Sequence, residues 1–290
     1  MIIDCHFHFD PRMLSIEQLI QKMDQSQIDK IALIPPLTDP IPDLPKILLE
    51  LLQWLLKRKT FRPLGRLLCS NFTKQGDIQI LLKSYPIYKE PDNATLFDTI
   101  DRFPDRFLGW ILIHPKSQQD SIAEVHRWID HPNCVGIKAH PFWHQYAPAE
   151  LIPVAEIASA KGKPMLIHLG FDDHGDYQRL VQTVPELKLI LAHAAFPEYK
   201  DQWKSIRSLP NVFVDISQTA YVNIQTIAEV INYLGPEKCL YGSDGPYGSE
   251  GQDGLFDFDV ILKQIKQTFP DLSVQEAIMG KNFQRLIGMA

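Results

Sequence analysis

The chain has 290 residues, with 35 acidic against 29 basic for a net charge of −6, and it is 45% hydrophobic and 22% charged. That composition excludes a mainly disordered chain, and the acidic balance argues against a protein that coats duplex nucleic acid with a basic face. The length allows two average domains or one α/β barrel, which takes about 250 residues.

The first β-like run covers 2–7 and is followed by a helix-like segment at 16–26 and a second run at 30–35. Residues 37–92 then interrupt the rhythm, being too many for a simple crossover. This stretch is proline-rich at its start (Pro35, Pro36, Pro40, Pro42, Pro45), and an amphipathic leucine-rich segment follows at 46–59. That segment ends in Lys57-Arg58-Lys59, where cations suit the helix dipole. From 107 the alternation resumes, with β-like runs at 107–113, 135–139, 164–169, 187–193, 212–216 and 239–242. Helical spacing lies between them at 121–129, 151–161 and 224–234. Strands alternating with helices imply parallel βαβ units, and eight of them predict a single-domain (β/α)8 TIM barrel spanning 1–290. A doubly wound open sheet is the weaker reading, because no GxGxxG or GxxxxGK[ST] follows any strand. Loops after strands cap the catalytic face, so the helical insertion at 37–92 is expected to be a lid or a dimer contact.

The four cysteines, Cys5, Cys69, Cys134 and Cys239, lie far apart without a CxxC pair and read as reduced, buried small hydrophobes. The N-terminus lacks the basic and apolar regions of a signal peptide, and the most apolar stretch, 47–56, is broken by Glu50 and Gln53. A soluble, cytoplasmic protein with no membrane partner and no stable nucleic-acid partner is the expectation. A homodimer stays open.

The strongest chemical signal is Asp4-Cys5-His6-Phe7-His8 at the end of the first strand. Side chains two apart on a strand share a face, so two imidazoles can converge on one ion. Cys5 and Phe7 are then expected to face the helices. His168 ends the fifth strand, His193 the sixth, and Asp244 follows the eighth. In a parallel barrel all these edges meet at one face. Three histidines and a carboxylate with an open position describe a catalytic divalent-metal site.

This pattern resembles the amidohydrolase superfamily, and within it the amidohydrolase 2 branch, which includes decarboxylases similar to aminocarboxymuconate-semialdehyde decarboxylase. The resemblance covers nearly the whole chain: Ile3 to His8, Val135-Gly136-Ile137-Lys138-Ala139-His140-Pro141, Ile167-His168, Ala192-His193, Leu240 to Asp244, and a closing Ile278 to Phe283. It implies that His6, His8, His168 and Asp244 hold one metal, zinc, with His193 as an acid or base beside it. Two-metal members add a carboxylated lysine or a glutamate from the fourth strand. Here that strand offers Lys138 and His140 on one face. Lys138 is either a carboxylated bridge to a second metal, or a cation for a substrate carboxylate, or a rim residue; one metal is favoured.

A bound zinc lowers the pKa of its water to about 7. Asp244 could then take the proton of that zinc-bound water, and His193 could polarise the scissile carbonyl. Lesser candidates for a pocket around a small-molecule substrate are His114 and His140, each ending a strand before a proline, with Trp143 and Tyr247 as walls. The expected activity is metal-dependent hydrolysis of an amide, lactone or ester in a small carboxylate-bearing molecule. Three alternatives remain: a non-oxidative decarboxylase on the same site, a metal-dependent deoxyribonuclease, and a metal-free lactonase or non-catalytic binding barrel. The deoxyribonuclease branch shares the IDxHxHxD opening but carries a glutamate on the fourth strand, which this chain lacks there.

Overall fold

The computed structural model describes residues 1–41, 45–80, 83–248 and 256–289. Eight parallel strands form one sheet in chain order: Ile3–His8, Lys30–Ile34, Phe107–Ile113, Cys134–Ala139, Met165–Ile167, Leu189–Leu191, Val212–Asp215 and Cys239–Leu240. The sheet closes on itself where the first strand meets the segment after the eighth. There the Cys5 amide donates to the Tyr241 carbonyl at 3.1 Å, the Asp244 amide to the His6 carbonyl at 2.7 Å, and the His8 amide to the Gly245 carbonyl at 2.7 Å. Asp4 clamps the same seam by accepting from the Ser243 amide at 3.0 Å and from the Ser243 hydroxyl. The fold is therefore the predicted single-domain (β/α)8 barrel.

Strands buried on both faces must be apolar on both, and the alternation sorts their side chains into two layers. Ile31 and Leu33 pack under the helices, whereas Ala32 and Ile34 point into the barrel. The interior layer draws on all eight strands, including Trp110, Leu166, Ile190 and Leu240. Cys5 belongs to that interior and not under the helices, because the register of the first strand slips between Asp4 and Phe7. Phe7 does face outward, against Phe256 and Phe258.

The helices form where the sequence spacing places them. Ile16–Ser26 starts at a Ser15–Gln18 capping box and buries Ile16, Leu19 and Met23. Burying such side chains stabilises by roughly 1.5–3 kcal/mol each. Ile224–Leu234 is capped by Asn223 and buries one continuous face from Thr226 to Leu234. At the N-terminal end of the barrel, helix Asn282–Ile287 acts as a plug. Phe283 and Leu286 enter the interior layer, and Asn282 Nδ2 donates to the Pro236 and Cys239 carbonyls at 2.8 and 3.0 Å.

The insertion folds as helices Lys46–Leu56 and Arg62–Cys69, followed by an antiparallel pair of short strands, Ile78–Ile80 and Lys83–Tyr85. The leucine-rich helix ends three residues before the predicted limit, at Leu56. It is tied to the opposite rim by Gln53, whose Nε2 donates to the Ala220 carbonyl at 2.6 Å. Arg62 reaches Asp201 at 2.9 Å and Arg66 pairs with Asp172. No helix among the described residues is long and apolar enough to cross a membrane.

Candidate metal centre

The ends of the first and eighth strands meet, and this puts three donors in one place. His6 Nε2 lies 3.3 Å from His8 Nε2 and 3.0 Å from Asp244 Oδ1, and His8 Nε2 lies 3.5 Å from the same oxygen. Asp244 is delivered there by a left-handed backbone, φ 59°, a region that costs a non-glycine residue about 1–2 kcal/mol. His193 at φ 55° is held in the same way. Such strain concentrates at functional turns.

The tautomers follow from the surrounding hydrogen bonds. His6 Nδ1 lies 2.9 Å from Asp215 Oδ2, so Nδ1 carries the proton and Nε2 presents its lone pair to the cluster. Ser217 donates its hydroxyl to Asp215 Oδ1 and accepts from His193 Nδ1 at 2.8 Å, which leaves His193 Nε2 bare as well. His168 Nδ1 donates to the Leu169 carbonyl at 3.0 Å, again leaving Nε2 free. Gln218 Nε2 donates to Asp244 Oδ2 at 2.9 Å, orienting Oδ1 toward the imidazoles. Asp215, Ser217 and Gln218 have no part in the sequence reading. Asp215 ends the seventh strand as His168 ends the fifth, so the strand-end rule could have found it. Ser217 and Gln218 have no such signal.

Burial dominates the electrostatics. It pulls His8 down to about 3 and His193 to about 4, and holds His140 and His168 well below the ordinary imidazole value. These rings are neutral at pH 7 and keep their lone pairs. Burial alone would raise Asp215 and Asp244, yet the neighbouring His6 and His193 hold both carboxyls below their usual range. Lys138, fully buried with Nζ 3.0 Å from His6 Nε2, is lowered to about 8 by desolvation against the pull of Asp244 and Asp215. Two ionised buried carboxylates therefore face Lys138 and His6, and against burial and Lys138 they hold His6 above its ordinary value. Convergent imidazole nitrogens, a carboxylate oxygen aimed at them and buried negative charge together fit a divalent cation, which these residues could hold.

Among the described residues, two groups of donors lie mutually within 4.8 Å: His6 with His8 and Asp244, and His6 with His193 and Asp215. His168 stands beside the first group and outside it, stacked on His140 at 4.2 Å and edge-on to His193 at 4.7 Å. His140 spends Nδ1 on the Trp143 amide at 3.1 Å, and the Trp143 ring stacks on it at 4.7 Å. His114 packs flat on His144 at 4.0 Å and has its Nδ1 near the Lys116 amide at 3.4 Å. Tyr247 follows Asp244 closely, and burial with the charges of Asp10 and Asp244 pushes its hydroxyl up. Tyr221, absent from the sequence reading, stacks on Phe196 at 4.3 Å and lies 5.3 Å from the His193 ring.

With this geometry in hand, the amidohydrolase family model Amidohydro_2 matches residues 3–289. The chain belongs to the amidohydrolase family. Solved structures related to this amidohydrolase agree on the fold. The 5-carboxyvanillate decarboxylase of Sphingomonas paucimobilis is 14% identical with a TM-score of 0.63, covering 100% of this chain and 99% of that one. A putative 2-pyrone-4,6-dicarboxylic acid hydrolase from Pseudomonas putida is 14% identical with a TM-score of 0.61, covering 99% and 97%. A dihydroxybenzoic acid decarboxylase from a Polaromonas species, with bound manganese and an inhibitor, is 15% identical with a TM-score of 0.61, covering 99% and 97%. No curated protein matches the sequence.

Proposed function

We propose that this amidohydrolase is a metal-dependent hydrolase of a small carboxylate-bearing molecule, and that His6, His8, His168 and Asp244 hold one zinc ion. The observation that supports it is the convergence of His6 Nε2, His8 Nε2 and Asp244 Oδ1, with the His6 Nε2 left bare by the Asp215 contact at Nδ1. A divalent cation in this place supplies Lewis acidity, lowering the pKa of water and polarising an oxygen of the substrate. Asp244 Oδ1 accepts a proton from the attacking water while Gln218 holds Oδ2 in place. The water oxygen bonds to the carbonyl carbon, and the leaving group departs with a proton relayed by His193 through its bare Nε2. Lys138 offers a buried cation to the substrate carboxylate.

Decarboxylation is the second reading, favoured by the flat rings of Phe142, Phe196 and Tyr221 around His168, which suit a planar aromatic acid. Here the same Asp244–His193 pair would hand a proton to the ring carbon as carbon dioxide leaves. The test is incubation of zinc-loaded enzyme with two panels, carboxylated lactones, esters and amides on one side and hydroxybenzoic acids on the other. Acid release from the lactones and esters is followed by titration, amine release from the amides by chromatography, and carbon dioxide by mass spectrometry. Acid release without carbon dioxide supports hydrolysis; carbon dioxide from the aromatic acids with no hydrolysis overturns it in favour of the second reading.

A further inference from the structure

We propose that the two helices of the insertion dock this enzyme on an anionic lipid surface. Helix Lys46–Leu56 is apolar on two sides, and helix Arg62–Cys69, which buries Gly65, exposes its leucines beside it. The inner side, with Leu52, Leu55 and Leu56, is buried against the barrel. A helix that is apolar all round is ordinarily covered all round. Here the outer side is open: Ile47 is 82% exposed and Leu67 73%, with Trp54, Phe61, Leu64 and Leu68 exposed beside them. Among the described residues twelve large hydrophobic side chains are exposed, and seven of them fall between 47 and 68. Single exposed hydrophobic side chains scattered over a surface are ordinary, whereas this concentration in one short segment is the pattern of an interaction surface.

Charge decides what covers this patch. Residues 46–69 carry six basic residues against one acidic residue, Glu50, a net +5 on a chain of −6, so the remainder carries −11. Arg62 and Arg66 are paired with Asp201 and Asp172. Arg58 lies over the Trp54 ring at 4.2 Å, Trp54 meets Phe61 at 5.1 Å, and Lys59 is exposed next to them. Cations beside exposed Trp, Phe and Leu are the composition of an interfacial amphipathic helix. A two-fold contact between copies through this patch would set like charge against like. Anionic headgroups reverse that sign, each nearby Lys or Arg strengthening attachment roughly fivefold.

The patch also sits at the functional end of the barrel. Its helices are tied to Asp172, Asp201 and Ala220, which follow the fifth, sixth and seventh strands. Docking would hold the His6–Asp244 end of the barrel next to the lipid. The inference goes beyond the proposed reaction and does not depend on it.

The test uses the full chain with vesicles of phosphatidylcholine alone and of phosphatidylcholine mixed with phosphatidylglycerol. The protein is expected to float with the phosphatidylglycerol vesicles only, and to be released when salt rises from about 0.05 M to about 0.5 M. Leu67→Ser should weaken binding roughly tenfold, and the double change Arg58→Glu with Lys59→Glu roughly 25-fold or more. All three positions are exposed, so thermal melts followed by circular dichroism should match the parent. Absence of flotation, or flotation indifferent to these substitutions, overturns the proposal. So does a dimer in light scattering that Leu67→Ser converts to monomer, since a second copy then covers the patch.

Discussion

Asp215→Asn isolates the claim that a buried carboxylate sets the tautomer of His6. Asp215 is fully buried and accepts four hydrogen bonds: from His6 Nδ1 at 2.9 Å, from the His193 and Ser217 amides at 3.0 Å each, and from the Ser217 hydroxyl. Three of these converge on Oδ1, so an asparagine keeps its carbonyl there and turns its NH2 toward His6. Donor then faces donor. His6 escapes by moving its proton from Nδ1 to Nε2, the atom that faces His8, Lys138 and Asp244. A protonated Nε2 cannot bind a cation. The lost charge-assisted bond is worth about 1.5–3 kcal/mol, and changes of this kind next to ligands cost roughly 10–100-fold in metal affinity. Zinc affinity measured by chelator competition should fall by that factor, and the ¹⁵N shifts of His6 should report the tautomer change. Zinc affinity within about twofold of the parent in a folded Asp215→Asn protein would refute the reasoning, since twofold is only about 0.4 kcal/mol.

Four further outcomes can be measured. His6→Ala and Asp244→Ala should each lose stoichiometric metal on elemental analysis while the barrel still folds; metal retained in both removes the ligand assignment. Lys138→Met should keep one metal equivalent and raise KM for a carboxylate substrate, whereas a parent with two equivalents that drops to one would make Lys138 a carboxylated bridge. Gly280→Ala should destabilise by roughly 1–3 kcal/mol in urea without touching metal content, because its methyl would lie 2.1 Å from the Met1 carbonyl oxygen at the far end of the barrel. Acid should unfold the protein partly through His144, which burial and then His114 pull down to about 3. The unfolded chain takes up that proton near pH 6.5 and the folded one does not, so stability falls as pH drops from 6.5 toward 3, by up to about 4 kcal/mol from this residue. His144→Phe should flatten that part of the Tm-versus-pH curve; an unchanged slope counts against the neutral stacked pair.

The barrel was legible because its signals are local. Phe107–Ile113 is a continuous apolar run, and Ile16–Ser26 and Ile224–Leu234 carry helical periodicity with polar caps. Strand ends were less legible because the rim sets them. The sixth strand stops at Leu191, short of the predicted 193, since the chain turns left-handed at His193, Ala194 and Ala195. The same difference runs through the site. That His6, His8, His168, His193 and Asp244 gather at one end follows from topology, which strand counting supplies. Which nitrogen each ring presents follows from Asp215, Ser217 and the Leu169 carbonyl, and no spacing rule encodes those contacts. Cys5 makes the point in the other direction: an ideal period of two sends it outward, and one register slip brings it inside. Periodicity thus places a residue at the right end of the right strand. Its chemistry is then decided by hydrogen bonds from elsewhere in the chain, so the Asp215→Asn variant probes the part of this site that the sequence pattern does not determine.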